Sequence, residues 1–315
     1  MTTWKFIKDR TTADGGAVWR SADGRLFKRT GGPEVLKEAE LTQHLAALGY
    51  PVPEQADRGR DTDGWYYFTE HSVGESSLHD MALADTRQHG HVTDRTIETA
   101  ADISGRLLAA QARHAHPATD ADLRQWFEQA AFATDVYTEN PDLDTDRTRT
   151  LVSTALQRLA AVPMCESHLD YGMPNAFPGG TIDWQHHALA PLGYDVYPML
   201  EIAAFKRGTK GYTFTPAQRA RYLKALDEHA TAVLGRGLSE YLGDFLLVKC
   251  FFFLALMRPT DPAARPDKHT KWQYRRALFT EGLAQYEQTA TIDTAAFPAL
   301  ADFTDRLTQP APDRP

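Results

Sequence analysis

Short apolar and aromatic runs dominate the first 72 residues, whereas most of the remaining chain repeats its apolar residues at helical spacing. Runs at 4–8, 17–21, 25–29 and 65–71 predict β-strands. Asp23-Gly24, between the second and third runs, predicts a hairpin turn. A proline at position 33 and leucines spaced by four and three residues predict one helix over 34–48.

Six long alanine- and leucine-rich segments after the last strand predict helices over 93–115, 122–137, 144–161, 216–234, 238–257 and 270–289. A segment rich in Gly, Pro, His and Asp, 163–198, separates the third helix from the fourth. The pattern predicts an α+β chain with a small β-rich part, 1–72, and a large, mainly helical part, 73–315. Because functional residues concentrate on loops that a rigid scaffold holds, the polar segment is the first place to look for chemistry.

Composition narrows the class of protein. The 315 residues are 42% hydrophobic and carry a net charge of −8, which supports a folded core and argues against a nucleic-acid partner. Two cysteines exclude a disulfide framework and fit a reducing compartment. The start lacks an apolar signal region, and the apolar run 245–257 contains Lys249 and is shorter than the ~20 residues that span a bilayer. We expect a cytoplasmic protein without a membrane partner; oligomeric state is left open.

Four residues that could take part in catalysis or metal binding fall within sixteen positions of the polar segment: His168, Asp170, Asn175 and Asp183. A carboxylate on a loop beside a histidine suits a general base. An amide oxygen and a second carboxylate are hard ligands of the kind that Mg²⁺ prefers. Gly179-Gly180 predicts a hairpin turn that brings the chain around Asn175 beside the chain around Asp183.

The order H-x-D-x-x-x-x-N, hairpin and I-D-W resembles the catalytic and metal-binding segments of the aminoglycoside phosphotransferase family. The resemblance implies a bilobal protein-kinase-like fold and a kinase that uses ATP and Mg²⁺. It makes Asp170 the catalytic base, and it makes Asn175 and Asp183 the metal ligands. It also implies that His168 and Asp195, the latter in ALAPLGYDV, support the catalytic loop.

The amino-terminal part resembles the same family. Lys28 would be the strand lysine that contacts the ATP phosphates, and Glu38 would be its ion-pair partner. Glu38 lies three residues before Leu41 on the apolar stripe of the helix, where a carboxylate needs a partner. The resemblance assigns further nucleotide contacts to a glycine loop and to backbone groups near the strand end: Gly15, Gly16, Glu70, His71 and Ser72.

The acceptor stays open at this stage. Leu169 replaces a glycine common in the family, and Tyr171-Gly172-Met173 and Pro191 also depart from its usual residues. The first expectation is a hydroxyl of an antibiotic or related natural product, in resistance or biosynthesis. A kinase of a choline-like, homoserine-like or sugar-like metabolite is the alternative, and GTP could replace ATP. An acidic stretch, 120–146, could hold a cationic acceptor, although a solvated helical face explains it better.

Other interpretations compete with this one. A single Asp and Asn in a Gly/Pro-rich loop is commonly turn chemistry. His168, His186 and His187 suggest a zinc site and a metal-dependent hydrolase, but adjacent histidines on an extended chain point to opposite sides. Cys165 lacks an activating arrangement for a nucleophile. A catalytically silent nucleotide- or ligand-binding protein on the same fold is the remaining alternative.

Overall fold

The structure is a computed structural model that describes residues 2–10, 16–205, 210–300 and 302–303. Its amino-terminal part is an antiparallel sheet of β1 (Trp4–Asp9), β2 (Ala17–Ser21), β3 (Leu26–Gly31), β4 (Gln55–Arg60) and β5 (Tyr66–His71). The strand order is β1-β2-β3-β5-β4. The four predicted strands are confirmed. The additional strand β4, QADRGR, is mostly exposed and polar, so its sequence carries no apolar signal.

The predicted hairpin between β2 and β3 is confirmed. The Asp23 carboxylate accepts hydrogen bonds from the Ser21 hydroxyl at 2.6 Å and from the Arg25 N–H at 3.1 Å. Gly24 adopts a φ of +75°, a left-handed conformation that glycine takes without strain. The turn fixes the register of β3 against β2, with Lys28 opposite Trp19.

Helix α1 (Glu34–Ala47) packs on one face of this sheet. Its Val35 and Ala39 side chains form a small buried cluster with Phe68 of β5. Phe68 lies directly opposite Arg29 of β3, so Arg29 is on the face that α1 covers. Lys28 is paired with Thr69 and faces the other side, because successive strand residues alternate between faces.

The rest of the described chain is mainly helical. Its helices are α2 (Leu78–His89), α3 (Asp94–His114), α4 (Asp120–Gln125), α5 (Ala133–Glu139), α6 (Asp146–Leu159), α7 (Met199–Phe205), α8 (Pro216–Leu234), α9 (Leu242–Met257) and α10 (Pro266–Thr289). The helices predicted over 93–115, 144–161, 216–234, 238–257 and 270–289 are present with small changes at their ends. Helices α2 and α7 were not predicted. Two short strand pairs lie within 163–198: β6 (Met164–Ser167) with β9 (Ala188–Pro191), and β7 (Ala176–Phe177) with β8 (Gly180–Thr181).

The prediction of one continuous helix over 122–137 was wrong. The segment runs as α4, a π-helical turn (Trp126–Ala130) and α5. Phe132 separates the last two elements with a φ of 57°, which a right-handed helix cannot contain. Its ring packs near Phe252 of α9, with ring centroids 5.9 Å apart, so a tertiary contact accompanies the break.

Helix α9 forms the centre of the helical core. Phe251 packs edge-on against Phe127 at 5.1 Å and against Phe279 at 5.0 Å, and all three rings are buried. This confirms that the apolar run 245–257 is a buried helix. Among the described residues, no helix combines the length and apolarity that crossing a bilayer requires.

The sheet is connected to the helical part where the β7–β8 turn contacts the backbone at Pro51 and Val73. The Gly179 N–H donates to the Val73 carbonyl at 2.8 Å, and the Thr181 N–H donates to the Pro51 carbonyl. A Cβ on Gly179 would lie 2.3 Å from the Val73 oxygen, and one on Gly180 would lie 2.8 Å from the Pro51 oxygen. The predicted Gly179-Gly180 hairpin is confirmed, and both glycines allow this close approach of two backbones.

We expect Gly179→Ala to lower the free energy of unfolding by about 1–3 kcal/mol, because its Cβ would collide with the backbone rather than with a flexible side chain. Urea unfolding followed by circular dichroism measures the change. Gly172→Ala is the control, since its Cβ would meet its nearest neighbour at 3.8 Å. Equal stability of the two variants would contradict the close contact.

Candidate active site

The catalytic loop predicted from the sequence runs from the end of β6 to the start of β7. The buried Asp195 carboxylate accepts hydrogen bonds from the backbone N–H groups of His168, at 2.7 Å, and Leu169, at 2.9 Å. The Gln111 side chain of α3 donates to the same carboxylate at 2.9 Å. Leu169 has a φ of +64°, so the chain turns sharply between the two buried residues and Asp170. The loop is therefore held by a side chain that lies 25 residues or more away in sequence.

His168 lies inside the protein and does not reach the cleft. Its Nε2 donates to the Ile182 carbonyl at 2.8 Å, and its ring lies 4.9 Å from the Trp184 ring. The histidine thus links the catalytic loop to the segment that carries Asp183. His187 pairs with Glu166 at 2.5 Å and His186 packs edge-on against the Phe252 ring. Over the described part of the chain, no cluster of metal-ligating side chains forms, and the zinc interpretation is wrong there.

Asp170, Asn175 and Asp183 line one cleft of about 240 Å³, and its other described lining residues also belong to the helical part of the chain. Asn175 donates its side-chain N–H to the Asp170 carbonyl at 3.0 Å, and its own carbonyl accepts from the Ile182 N–H at 3.0 Å. Asp183 adopts a φ of +71° and is partly exposed. The structure therefore brings the three predicted chemical groups together at one solvent-accessible surface.

The structure places Arg29, rather than Lys28, beside these carboxylates. The Arg29 guanidinium lies 2.9 Å from Glu70, 3.2 Å from Glu38 and 4.0 Å from Asp183. Burial lowers the pKa of Arg29, but the attraction of the three carboxylates is stronger and raises that pKa above its ordinary value. Arg29 is thus a permanently charged group that connects α1, β5 and the segment that carries Asp183.

The predicted ion pair between Lys28 and Glu38 does not form. The Lys28 ammonium lies 3.4 Å from Asp61 and 4.7 Å from the centre of the Tyr67 ring, on the opposite face of β3. Strand alternation causes the error, since adjacent residues of a strand cannot share a face. Glu38 contacts Arg29 and also Arg10. Arg29 differs from Lys28 in being buried. The neighbouring residues in the sequence do not reveal that burial, so the sequence could not tell which of the two cations contacts Glu38.

The structure gives a different outcome for each of the other predicted nucleotide contacts. Gly15 lies outside the described residues, and Gly16 is buried where its carbonyl accepts from the Arg10 N–H at 2.8 Å. The backbone N–H groups of His71 and Ser72 donate to the carbonyls of Glu54 and Arg25, each at 2.8 Å. These two N–H groups are thus engaged within the amino-terminal part, and the adenine contact assigned to backbone groups near Glu70 to Ser72 stays a prediction. The Glu70 side chain points to Arg29.

Lys249 lies directly beneath the loop that carries Asp170, and the sequence motifs did not indicate it. It is buried in α9, donates to the Leu169 carbonyl of the catalytic loop, and lies 4.1 Å from the centre of the Tyr194 ring. Burial lowers the pKa of Lys249 to about 8, partly offset by the charges of Asp195 and Asp170. A lone lysine within a 13-residue apolar run was the available signal, since a buried cation needs a partner.

The acid-rich stretch 120–146 does not line the cleft. Asp122 caps the start of α4 by accepting from Thr119, and Asp144 pairs with Arg149 at 2.5 Å. Asp142 pairs with Arg276 of α10. The interpretation as a surface helical face is therefore the better one, and these acids do not form an acceptor site in the described cleft. Cys165 is also removed as a nucleophile, because burial raises the pKa of its thiol.

Comparison with known families agrees with this geometry. The sequence profile of the phosphotransferase enzyme family matches residues 12–239, so the chain belongs to that family. The chain is thus a phosphotransferase with an alcohol group as acceptor, as its motifs predicted. A comparison with curated proteins found no match.

Solved structures confirm the kinase-like fold. An aminoglycoside-3'-phosphotransferase of type VIII is 20% identical, covers 80% of this chain and 94% of its own, and superposes with a TM-score of 0.50. A thermostable mutant of aminoglycoside phosphotransferase APH(4)-Ia, in complex with ADP and hygromycin B, is 15% identical. The match covers 89% of this chain and 94% of that one, with a TM-score of 0.52. At these identities the likeness concerns the fold alone.

We expect the Lys249 ammonium to make stability depend on pH. Below about pH 8 both folded and unfolded chains hold the proton, and the folded chain bears the cost of the buried charge. Between about pH 8 and the ordinary value of 10.5, the unfolded chain binds more protons, so the free energy of unfolding rises with pH. Relative to Lys249→Met, the wild type should gain up to about 3 kcal/mol between pH 7.5 and 10.

Urea unfolding at the two pH values measures this difference. Lys224→Met is the control, because the Lys224 side chain is 80% exposed and should give a difference that is independent of pH. A Lys249→Met difference that stays constant from pH 7.5 to 10 would show that the buried amine keeps its proton throughout.

Proposed function

We propose that this protein is an ATP-dependent O-phosphotransferase that transfers the γ-phosphoryl group to a hydroxyl of a small molecule. The observation that carries the proposal is the convergence of Asp170, Asn175 and Asp183 on one cleft, with Arg29 4.0 Å from Asp183. An antibiotic or related natural product is the proposed acceptor, and a role in resistance or biosynthesis follows from it. The division at residue 72 into a nucleotide-binding part and a helical part belongs to this proposal.

Asp170 is proposed to receive the acceptor hydroxyl. Its carboxylate lies at the cleft while the backbone on its amino-terminal side is tied to Asp195, which limits its movement. A positioned carboxylate can orient a hydroxyl in line with a phosphoryl group and accept its proton. The catalytic contribution expected of the chain is mainly this positioning, because phosphoryl transfer requires little covalent chemistry from the protein.

Asn175 and Asp183 are proposed to hold Mg²⁺. Both groups offer oxygen atoms at the cleft, and the Asn175 amide nitrogen is already engaged by the Asp170 carbonyl, which leaves its oxygen as the available ligand. Few protein oxygens together with phosphate oxygens suit this ion. When bound, Mg²⁺ would supply charge neutralisation at the phosphates.

Arg29 is proposed to contact the nucleotide phosphates in place of Lys28. Its charge is permanent and its position is fixed by Glu38 and Glu70, so it presents a cation next to the metal-binding carboxylate. The ADP bound to APH(4)-Ia, which shares this fold, supports nucleotide use. For the adenine edge we propose the connector after β5. Its Val73 N–H has no partner among the described residues, whereas the preceding two donors are engaged.

Asp170→Asn should reduce phosphoryl transfer at least a thousandfold while the Kd for ATP changes less than threefold, because the carboxamide cannot accept the hydroxyl proton. Mass spectrometry of the acceptor measures transfer, and isothermal titration calorimetry measures ATP binding. Asp102→Asn, an exposed carboxylate on α3, is the control. Full turnover by Asp170→Asn would refute its role. Stoichiometric ATP binding without transfer by the wild type to any alcohol would favour the catalytically silent alternative.

Lys28 and Arg29 are neighbouring cations on β3, and substitutions of the two can be compared as a matched pair. Arg29→Ala should weaken ATP binding at least tenfold, since a charge-assisted contact contributes about 1.5–3 kcal/mol. Arg29→Lys should retain part of that affinity, and Lys28→Ala should stay within twofold of wild type because Lys28 faces Asp61. Thermal unfolding of each variant controls for lost folding. The reverse order, with Lys28→Ala more damaging than Arg29→Ala, would restore the original assignment of Lys28.

A further inference from the structure

We propose that the acceptor is an alcohol with a largely apolar body and no positive charge. This inference rests on the proposed function and names the substrate class of the same cleft. Next to Asp170 the cleft wall is built mainly from apolar and aromatic side chains of α7, α9 and the chain between α7 and α8. They are Met199, Ile202, Tyr212, Phe253, Leu256 and Met257.

The wall is suited to a hydrocarbon surface. Met199, Ile202 and Phe253 are all more than nine-tenths buried, so their positions are set by the surrounding core. The Tyr212 hydroxyl is engaged by His79 at 3.0 Å, so the phenol turns its polar atom away from the wall. An apolar body placed here would remove further apolar surface from water, which is the main source of affinity in small-molecule sites.

The charges around the cleft disfavour a cation. Asp170 and Asp183 are the carboxylates among its described lining residues, and the proposed mechanism uses both. Lys210 lines the same cleft and adds a positive charge. An ammonium group on the acceptor would therefore lose its hydrating water without gaining an ion pair with a free carboxylate. It would also be repelled by the positive charge of Lys210.

Two further cations lie directly behind the wall. Lys249 and Arg275 are buried around a small cavity that shares Ile202 and Phe253 with the cleft. The Arg275 guanidinium lies 5.0 Å from the centre of the Phe253 ring. Among the described residues, neither cation forms an ion pair with a carboxylate within 4 Å. Asp195 and Asp170 offset the charge of Lys249 from a greater distance, whereas no described carboxylate offsets that of Arg275. The field at the wall therefore opposes a polycation.

Three groups of alcohols test the inference with the purified full-length protein, ATP and Mg²⁺. The first contains uncharged macrolactone and steroid alcohols, the second hydroxy acids with a hydrocarbon body, and the third polyamino sugars. Mass spectrometry detects the added phosphate and initial rates give kcat/KM. We expect the best uncharged or anionic acceptors to exceed every polyamino sugar by at least tenfold in kcat/KM.

Variants of the wall connect that preference to the structure. Leu256→Asn should lower kcat/KM for an apolar acceptor about tenfold, through KM, because one buried aliphatic group is worth that much discrimination. The KM for ATP should not change. Val233→Asn is the control, since Val233 is 44% exposed on α8 and lies outside the cleft. Lys210→Glu should raise kcat/KM for polyamino sugars severalfold.

The outcomes separate the two proposals. Transfer to polyamino sugars at equal or higher kcat/KM, with no effect of Leu256→Asn on any acceptor, would overturn this inference and leave the phosphotransferase proposal intact. Transfer only to alcohols outside the first two groups would likewise overturn this inference alone. ATP binding without transfer to any alcohol, in these groups or in a panel of choline-like, homoserine-like and sugar acceptors, would overturn the proposed function, and the inference that rests on it would fall with it. Loss of the preference for apolar acceptors in Leu256→Asn, together with its retention in Val233→Asn, would support both proposals.

Discussion

One buried carboxylate determines the shape of the catalytic loop. Asp195 accepts two consecutive backbone N–H groups, from His168 and Leu169, and a third bond from Gln111. Hydrogen bonds to a charged acceptor are stronger than neutral ones, and a buried acceptor left without donors would be costly. The three donors come from α3, from the left-handed residue Leu169 and from the residue before it, so this interaction ties the helical core to the loop. The orientation of Asp170, the next residue of the loop, depends on these hydrogen bonds to Asp195.

A second set of charges relates the sheet to that loop. Arg29 contacts Glu38, Glu70 and Asp183, which belong to α1, β5 and the segment after β8. Glu38 also pairs with Arg10, so three carboxylates with two guanidiniums leave a net negative charge beside Asp183. The phosphate and metal chemistry of a kinase would have to balance it with cations. The helical end of the cleft has the opposite character, with Lys210 at its surface and Lys249 and Arg275 beneath it.

The sequence predicted the fold class, the order of the main elements and the loop that carries Asp170, Asn175 and Asp183, because these depend on local pattern and motif spacing. It did not distinguish Lys28 from Arg29, since the choice depends on which face of β3 meets α1. It also missed the break at Phe132 and the strand β4, where tertiary contacts override a helical or polar local pattern. The apolar wall of the cleft could not be predicted at all, because it combines α7, α9 and the chain between α7 and α8, which are separated in sequence.

The contact between the β7–β8 turn and the chain at Pro51 and Val73 has a mechanical consequence. Two backbone hydrogen bonds and two glycines without room for a Cβ join the sheet side to the hairpin that precedes Asp183. A rotation of the sheet that kept these bonds would have to turn about this seam. The strands that moved furthest would be β1 and β2, because they lie at the edge of the sheet opposite β5 and β4. The distance from Pro51 to Thr181, and so to Asp183 two residues further on, would stay nearly constant during that motion.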